Sequence, residues 1–188
     1  MRKIFDEILP DEYVESVFTI DLDKLWASGK RLILSDLDNT LVPWNHPHVP
    51  DSLVRWYKQA TDIGFRLCIV SNNRGKRVSE FGELMGIEAI GTARKPRPDA
   101  FQEAMNRFGF PSEQTVMLGD QLFTDIRGGN RCGIYTILVV PINKKEWWGT
   151  RINRMIERLV MRTVLRHSLQ PPEGPTRRHE PDGRDNNG

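Results

Sequence analysis

The feature that most constrains the fold of this chain is a repeated alternation of short apolar runs and longer amphipathic stretches. Such alternation is typical of βαβ units, in which helices join parallel strands and cover both faces of the sheet. The strands are expected near residues 31–36, 65–70, 87–91, 115–119 and 134–140, and the helices near 51–62, 75–85, 98–108 and 123–131. The predicted fold class is therefore α/β, with a doubly wound, mostly parallel sheet of five strands.

Length and composition indicate one globular domain. The chain has 188 residues, of which 38% are apolar and 28% charged, which is ordinary for a folded domain of this size. We assign residues 31–142 to the domain and residues 1–30 to an N-terminal arm that packs on it. A basic amphipathic helix is expected at 143–169. The tail at 170–188 is too poor in apolar residues to fold and is expected to be disordered.

The location expected from the sequence is cytoplasmic. The two cysteines, Cys68 and Cys132, fit no metal or redox spacing, and free thiols suit a reducing compartment. No apolar run reaches the roughly 18 residues of a spanning helix, and acidic residues follow Phe5 too early for a secretory signal. The alternative is a peripheral position at the inner face of the membrane, which the basic amphipathic helix expected at 143–169 suggests.

Polar side chains follow four of the predicted strands, at the ends where open parallel sheets bind ligands. In strand geometry Asp36 and Asp38 point to the same side, and two adjacent carboxylates favour a bound cation. The sequence therefore predicts a site for Mg²⁺ and phosphate at this edge. The set comprises Asp36 and Asp38 after the first strand, Ser71 after the second, Lys95 after the third, and Asp120 with Asp125 after the fourth.

Each residue type suits one part of a phosphoryl transfer. Asp36 and Asp120 offer carboxylate oxygens to Mg²⁺, with the Asp38 carbonyl as a third ligand. Asp36 can then attack phosphorus, while Asp38 protonates the leaving alcohol and later activates water. Ser71 can donate a hydrogen bond to a phosphoryl oxygen, and Lys95 can balance the growing charge.

Each of these residues also has an ordinary structural explanation when taken alone. An aspartate at a strand end commonly caps a helix, and Asp125 could do no more than cap the helix that follows it. A lone serine forms turns, and a lone lysine is commonly a solvated charge. The order of the residues at successive strand ends is what favours a catalytic site.

With these motifs the chain resembles the haloacid dehalogenase (HAD) superfamily of Mg²⁺-dependent phosphotransferases. The four motifs are DLDNT at 36–40, Ser71, Lys95 and GDQLFTD at 119–125. The resemblance implies a HAD-like Rossmannoid sheet and an aspartyl-phosphate intermediate. The residues that it implicates are Asp36 and Asp38 in catalysis, Thr40, Ser71, Asn72 and Lys95 in substrate binding, Asp36, Asp38 and Asp120 in Mg²⁺ binding, and Asp125 in support of Lys95 or of a metal-bound water.

Longer strings narrow the resemblance. DLDNTLVPWN (36–45), VSNN (70–73) and the segment 119–141 resemble YqeG-type bacterial HAD phosphatases, which are similar in turn to the mitochondrial phosphatidylglycerophosphate phosphatase. This likeness implies dephosphorylation of phosphatidylglycerophosphate to phosphatidylglycerol as the favoured reaction.

The spacing of the motifs leaves no room for the cap domain with which HAD enzymes usually select substrates. Only 34 residues separate Asp36 from Ser71, and 23 separate Ser71 from Lys95. An open site suits a phosphate presented on something large, such as a protein, a nucleic acid or a membrane lipid.

The C-terminal helix has two interpretations. Paired tryptophans before an Arg-rich amphipathic helix are typical of an anchor on anionic lipid. Alternatively, the apolar face packs on the domain and the arginines are solvated. Nucleic acid is not favoured, because aromatic residues do not interleave with the arginines. The residues expected to meet lipid are Trp147, Trp148, Arg151, Arg154, Arg158 and Arg162.

Other functions stay open at this stage. The substrate could be a protein, a nucleic acid, a sugar phosphate or a nucleotide. A phosphoacceptor switch resembling a response-regulator receiver is a different class, but Asp38 argues against it because a second acid would hasten hydrolysis of the acyl phosphate. A binding protein with a vestigial pocket is the weakest interpretation, since every motif residue is present.

Overall fold

The computed structural model describes residues 7–44 and 48–142 of the chain. Its strands are β1 (Glu12–Val14), β2 (Leu32–Ser35), β3 (Arg66–Val70), β4 (Glu88–Ile90), β5 (Thr115–Gly119) and β6 (Tyr135–Val139). Its α-helices are α1 (Leu22–Ala27), α2 (Asp51–Ile63), α3 (Gly75–Met85), α4 (Asp99–Phe108) and α5 (Arg127–Arg131). The strands form one sheet in the order β1-β6-β5-β2-β3-β4, and every pair is parallel. The predicted α/β class is confirmed.

The sheet has one strand more than the five that the sequence predicts. β1 lies within the segment expected to be an N-terminal arm, and it pairs with β6 from Glu12 opposite Ile137 to Val14 opposite Val139. This strand has three residues, and its central residue, Tyr13, is exposed. A strand so short and so polar gives no apolar run, so pattern alone could not find it.

Helices cover both faces of the sheet, as a doubly wound fold requires. Alternation along β2 sends Ile33 to one face, where it belongs to the same apolar cluster as Leu53 of α2 and Phe81 of α3. Leu34 faces the other way and clusters with Phe101 of α4. β2 is fully buried, so the residue that follows it emerges from the centre of the sheet.

The described part of the chain contains no cap domain. Only α2 lies between β2 and β3, and only α3 with β4 lies between β3 and Lys95. Over residues 7–44 and 48–142, none of the helices combines the length and the apolar character needed to cross a membrane. The first six residues of the predicted arm, the helix predicted at 143–169 and the tail predicted at 170–188 lie outside the described residues.

Candidate active site

The strand register brings the motif residues to one edge of the sheet. Ser35 of β2 lies opposite Ile69 of β3 and opposite Leu118 of β5. Asp36 follows at the centre, and its backbone N–H donates a hydrogen bond of 2.9 Å to the Leu118 carbonyl. Ser71 and Asp120 each come one residue after the ends of the neighbouring strands, so the parallel register places them on either side of Asp36.

A buried ammonium lies between two carboxylates at this edge. The Lys95 side chain is 1% exposed, and its Nζ lies 2.8 Å from Asp36 Oδ1 and 2.6 Å from Asp125 Oδ1. Burial alone would lower the pKa of the Lys95 ammonium, but Asp125 and Asp36 together raise that pKa above its ordinary value. Lys95 therefore stays charged at any physiological pH.

Asn72 holds the backbone that carries this lysine. Its Oδ1 accepts a hydrogen bond of 2.6 Å from the Lys95 N–H, and its Nδ2 donates one of 3.1 Å to the Lys95 carbonyl. Both polar atoms of the Asn72 amide therefore contact the Lys95 backbone. The substrate contact that the sequence predicts for Asn72 stays a prediction.

Asp36 itself is buried, and this changes its acidity. Burial raises the pKa of the Asp36 carboxyl to about 6; Lys95 lowers this pKa, while the nearby Asp125 raises it. The group is still mostly ionised at pH 7, as a nucleophile must be. Its charge is nevertheless less favourable than that of an exposed aspartate, so an additional cation would stabilise it.

Three buried aspartates form a cluster with the geometry of a cation site. Each of Asp36, Asp120 and Asp125 offers a carboxylate oxygen, and these atoms lie within 4.8 Å of one another. Three ionised carboxylates beside the single Lys95 ammonium leave a surplus of two negative charges, which matches a divalent cation. The buried Thr40 hydroxyl lies 3.5 Å from Asp120 Oδ1, so the structure directs this predicted substrate ligand towards the cluster.

Asp125 has a supporting position in this cluster. Its Oδ1 lies against Lys95, and its Oδ2 accepts a hydrogen bond of 3.1 Å from the Gln121 N–H. Oδ2 therefore has a hydrogen bond, whereas Oδ1 is held by its ion pair with Lys95 and accepts no hydrogen bond within the described residues. Asp36 and Asp120 are the better direct ligands for a cation.

The segment that carries Asp125 is wound as a π-helical turn, Leu122–Ile126, before it continues into α5. The sequence predicts an ordinary helix here, but single π turns are common at functional sites. Asp125 packs so closely on Gly119, the last residue of β5, that a Cβ at position 119 would lie 2.2 Å from the Asp125 Cβ. Any side chain at position 119 would displace Asp125.

The second aspartate of the first motif lies nearer to solvent and has different partners. Arg77 donates to Asp38 Oδ1 from Nη2 at 2.7 Å and from Nε at 3.2 Å. Asn73 Nδ2 donates to Asp38 Oδ2 at 3.0 Å. The sequence analysis did not predict the contacts of Asn73 and Arg77 with Asp38. The signal available for Arg77 was the presence of basic residues in the first turn of a helix, where the helix dipole disfavours them.

Ser71 completes the site. It is buried at the end of β3, and its Oγ accepts a hydrogen bond of 3.2 Å from the Asn73 N–H. A hydroxyl that accepts one hydrogen bond can still donate another, which is the role that the sequence predicts for it towards phosphate.

Comparisons with known proteins agree with this geometry. The HAD-hydrolase-like family model matches residues 92–141. Over 166 residues the chain is 42% identical to the Bacillus subtilis (strain 168) protein called probable phosphatase YqeG, covering 88% of this chain and 95% of that protein. The chain belongs to the HAD superfamily of phosphatases and, within it, to the YqeG type.

More distant relatives extend the comparison. The chain is 28% identical over 180 residues to phosphatidylglycerophosphate phosphatase 1, chloroplastic/mitochondrial, of Arabidopsis thaliana, covering 87% of this chain and 50% of that protein. It therefore spans about half the length of this relative. A crystal structure of an uncharacterized protein from Listeria monocytogenes serotype 4b matches with a TM-score of 0.50 at 20% identity, covering 62% of this chain and 83% of the other. This last likeness concerns the fold alone.

Proposed function

We propose that this HAD phosphatase is a Mg²⁺-dependent phosphomonoesterase that works through an aspartyl-phosphate on Asp36. The observation that carries the proposal is the buried Asp36, paired with Lys95 at 2.8 Å and clustered with Asp120 and Asp125. A carboxylate in this position is ionised, fixed and surrounded by groups that can balance the charge of a phosphate. When bound by Asp36, Asp120 and the Asp38 carbonyl, Mg²⁺ would neutralise charge on the phosphoryl oxygens.

The protein groups divide the two steps of the reaction between them. An Asp36 oxygen forms a bond to phosphorus as the bond from phosphorus to the alcohol oxygen breaks, and Asp38, which enters this step as the protonated carboxylic acid, gives the alcohol oxygen its proton. A water then attacks the phosphoryl group, Asp38 takes a proton from it, and the Asp36 carboxylate is released with inorganic phosphate. Lys95 and Ser71 hold the phosphoryl oxygens through both steps.

The substrate proposed for this site is phosphatidylglycerophosphate. The printed name of the Arabidopsis relative supports it, and so does the open site without a cap in the described residues. The rim of the site adds an apolar element, since Trp44 is 53% and Ile142 is 47% exposed. Both are tied to Asn39, one residue beyond Asp38: the Trp44 N–H donates to Asn39 Oδ1 at 3.4 Å and the Ile142 N–H to the Asn39 carbonyl at 3.0 Å.

A peripheral position at the cytoplasmic face of a membrane is part of the same proposal. Ile142 lies beside the catalytic loop, and the basic and aromatic string KKEWWG follows closely in the sequence, at 144–149. In this proposal anionic lipid is the partner of the tryptophans and arginines predicted to face it. These residues, Trp147, Trp148, Arg151, Arg154, Arg158 and Arg162, lie outside the described part of the chain.

The test is release of inorganic phosphate from phosphatidylglycerophosphate in vesicles, with Mg²⁺ or with EDTA. Removal of the nucleophile in Asp36→Asn should reduce kcat by at least about 10⁴-fold, and EDTA should abolish turnover. Asp62→Asn is the matched control, because Asp62 is an exposed carboxylate whose ion pair is with Lys58 on α2. A wild-type protein that shows no Mg²⁺-dependent turnover would contradict the proposed phosphatase activity. Much faster turnover of soluble sugar or nucleotide phosphates would contradict the lipid substrate alone.

The membrane partner is tested by co-sedimentation of the full chain with vesicles of phosphatidylglycerol and of phosphatidylcholine. Preference for the anionic vesicles, lost in a Trp147→Ser, Trp148→Ser double variant, is the expected result. Equal sedimentation of variant and wild type would overturn this part of the proposal.

A further inference from the structure

We propose that Arg77 and Asn73 form a clamp on Asp38 that positions its carboxylate for proton transfer to the leaving alcohol. The inference rests on the proposed phosphomonoesterase function, because the clamp acts only through the acid/base role of Asp38. Arg77 and Asn73 are therefore positioning residues in this proposal.

The contacts restrain both oxygens of the Asp38 carboxylate. Arg77 uses two guanidinium nitrogens, Nη2 at 2.7 Å and Nε at 3.2 Å, on Oδ1, while Asn73 Nδ2 lies 3.0 Å from Oδ2. Donors on opposite sides of a carboxylate oppose its rotation, so the plane of the group is fixed relative to the site. Pre-orientation of a reacting group of this kind can change a rate by about 10²-fold.

The clamp is itself anchored to the phosphate-binding side of the site. The Asn73 N–H donates to Ser71 Oγ at 3.2 Å, and its carbonyl accepts from the Thr92 N–H at 2.9 Å. Asn73 Oδ1 accepts from the Arg74 N–H at 2.8 Å, which leaves the Nδ2 end of the amide turned to Asp38. Asn73 thus fixes the position of Asp38 relative to Ser71, which would bind the phosphoryl group, although the two residues follow different strands.

A stabilising role alone does not explain Arg77. Its side chain is 27% exposed and that of Asp38 13% exposed, so the pair is largely shielded from solvent and its geometry is more sharply fixed than that of a surface ion pair. Arg77 also lies in the first turn of α3, where the helix dipole disfavours a cation. This first turn contains no acidic residue that could compensate for it. Arginine keeps its proton throughout the physiological range, so Arg77 can orient Asp38 without competing with it as an acid.

The inference predicts a loss that depends on the leaving group. An alkyl alcohol needs a proton as it departs, whereas p-nitrophenol leaves as a stable anion. Arg77→Met should therefore lower kcat/KM for glycerol 3-phosphate by about 30- to 100-fold and for p-nitrophenyl phosphate by less than about threefold. The ratio kcat/KM reports the steps up to alcohol release, so later hydrolysis of the phosphoenzyme does not obscure the comparison.

Matched variants separate orientation from charge and from folding. Lys76→Met removes a neighbouring cation whose side chain is 91% exposed and should leave both substrates within about twofold of wild type. Asn73→Ala should show the same leaving-group pattern as Arg77→Met with a smaller loss, and Arg77→Lys should recover part of the activity. Thermal melting of each variant should confirm that it is folded.

A double-mutant cycle gives the decisive readout. In an Asp38→Ala background, the Arg77→Met change should have almost no further effect on glycerol 3-phosphate, because the group that it positions is absent. Additive losses, or equal losses on both substrates with a raised KM, would overturn the clamp and indicate direct substrate binding by Arg77. Wild-type activity in Arg77→Met would overturn the clamp alone. Absence of phosphatase activity in the wild type would overturn the proposed function together with the clamp.

Discussion

Two carboxylates of one short motif are each paired with a cation, and the two pairs differ chiefly in how deeply the cation is buried. The side chains of Asp36 and Lys95 are 9% and 1% exposed, whereas those of Asp38 and Arg77 are 13% and 27% exposed. The inner pair is enclosed by the ends of the central strands. The outer pair lies where the loop after β2 meets α3.

The difference separates the two kinds of work that the reaction needs. A buried charge without its partner is strongly unfavourable, so the inner groups must stay together, and together they present a fixed field to phosphate. The outer pair is partly accessible to water, so we expect the loss of its cation to cost less in stability than the loss of Lys95. In the proposed mechanism the outer aspartate exchanges protons with the alcohol and with water, and Arg77 and Asn73 fix the direction of its carboxylate.

The largest effect on stability is expected from removal of the inner cation, Lys95. Lys95→Met leaves the Asp36 and Asp125 carboxylates buried without the ammonium that now lies 2.8 and 2.6 Å from them. Because removal of one member of a buried ion pair is strongly destabilising, we expect the free energy of unfolding to fall by about 3–5 kcal/mol. Urea unfolding in EDTA would measure it.

Arg77→Met is the matched comparison for that measurement. It removes the cation from the partly buried pair with Asp38, whose side chains are 27% and 13% exposed, and should lower the free energy of unfolding by about 1–2 kcal/mol, less than Lys95→Met does. Equal losses in the two variants would contradict the distinction between the inner and the outer pair.

A smaller effect is expected from crowding the inner pair without removing any charge. Gly119→Ala would place a Cβ 2.2 Å from the Asp125 Cβ, so Asp125 or the end of β5 must move. Overpacking of this kind commonly costs about 1–3 kcal/mol, and we expect a matching loss of phosphatase activity as Lys95 loses its support.

Gly75→Ala is the control for the glycine substitution. A Cβ at position 75 has open space around it, and alanine favours the first turn of α3 more than glycine does. This variant should be as stable as the wild type or slightly more so. A Gly119→Ala protein with unchanged stability and activity would show that the π-helical turn can absorb the extra carbon.

The smallest effect concerns Mg²⁺ binding and pH. Because burial raises the pKa of the Asp36 carboxyl to about 6, protons compete with the cation for this group below that pH. The apparent Mg²⁺ affinity should be about tenfold weaker at pH 5 than at pH 7. Isothermal titration calorimetry at the two pH values would measure the ratio.

Asp36→Asn supplies the control for this titration. The variant should bind Mg²⁺ more weakly at pH 7, with a flatter dependence on pH, since the competing carboxyl is gone. The same affinity at pH 5 and pH 7 in the wild type would place Asp36 outside the cation site.

The central part of the fold could be predicted because its signals are local. β2, β3 and β5 are short apolar runs that end directly at polar residues, and parallel pairing brings those ends together wherever the strands lie in register. Asp36 and Asp120 could therefore be assigned to one site from the sequence. β1 could not be found, since three residues with an exposed Tyr13 at their centre carry no periodic signal.

The sequence pattern does not predict contacts between residues of different loops. Asn72 is implicated in substrate binding by the family resemblance, but its contact with the Lys95 backbone, 23 positions along the chain, could not be predicted. The contact of Arg77 with Asp38 spans 39 positions. It depends on how α3 is oriented against the loop after β2, which neither propensity nor spacing specifies.

The hydrogen bond from Ile142 to Asn39 links the segment after β6 to the catalytic loop. Asn39 has a left-handed backbone (φ 65°), directly follows Asp38, and accepts the Ile142 N–H at 3.0 Å. Ile142 is therefore joined to the loop that carries Asp38 by this hydrogen bond, as well as to β6 through the covalent chain. If the residues after Ile142 bind a membrane as proposed, a displacement of the chain at Ile142 would bear directly on Asn39, and the position of Asp38 would then respond to attachment.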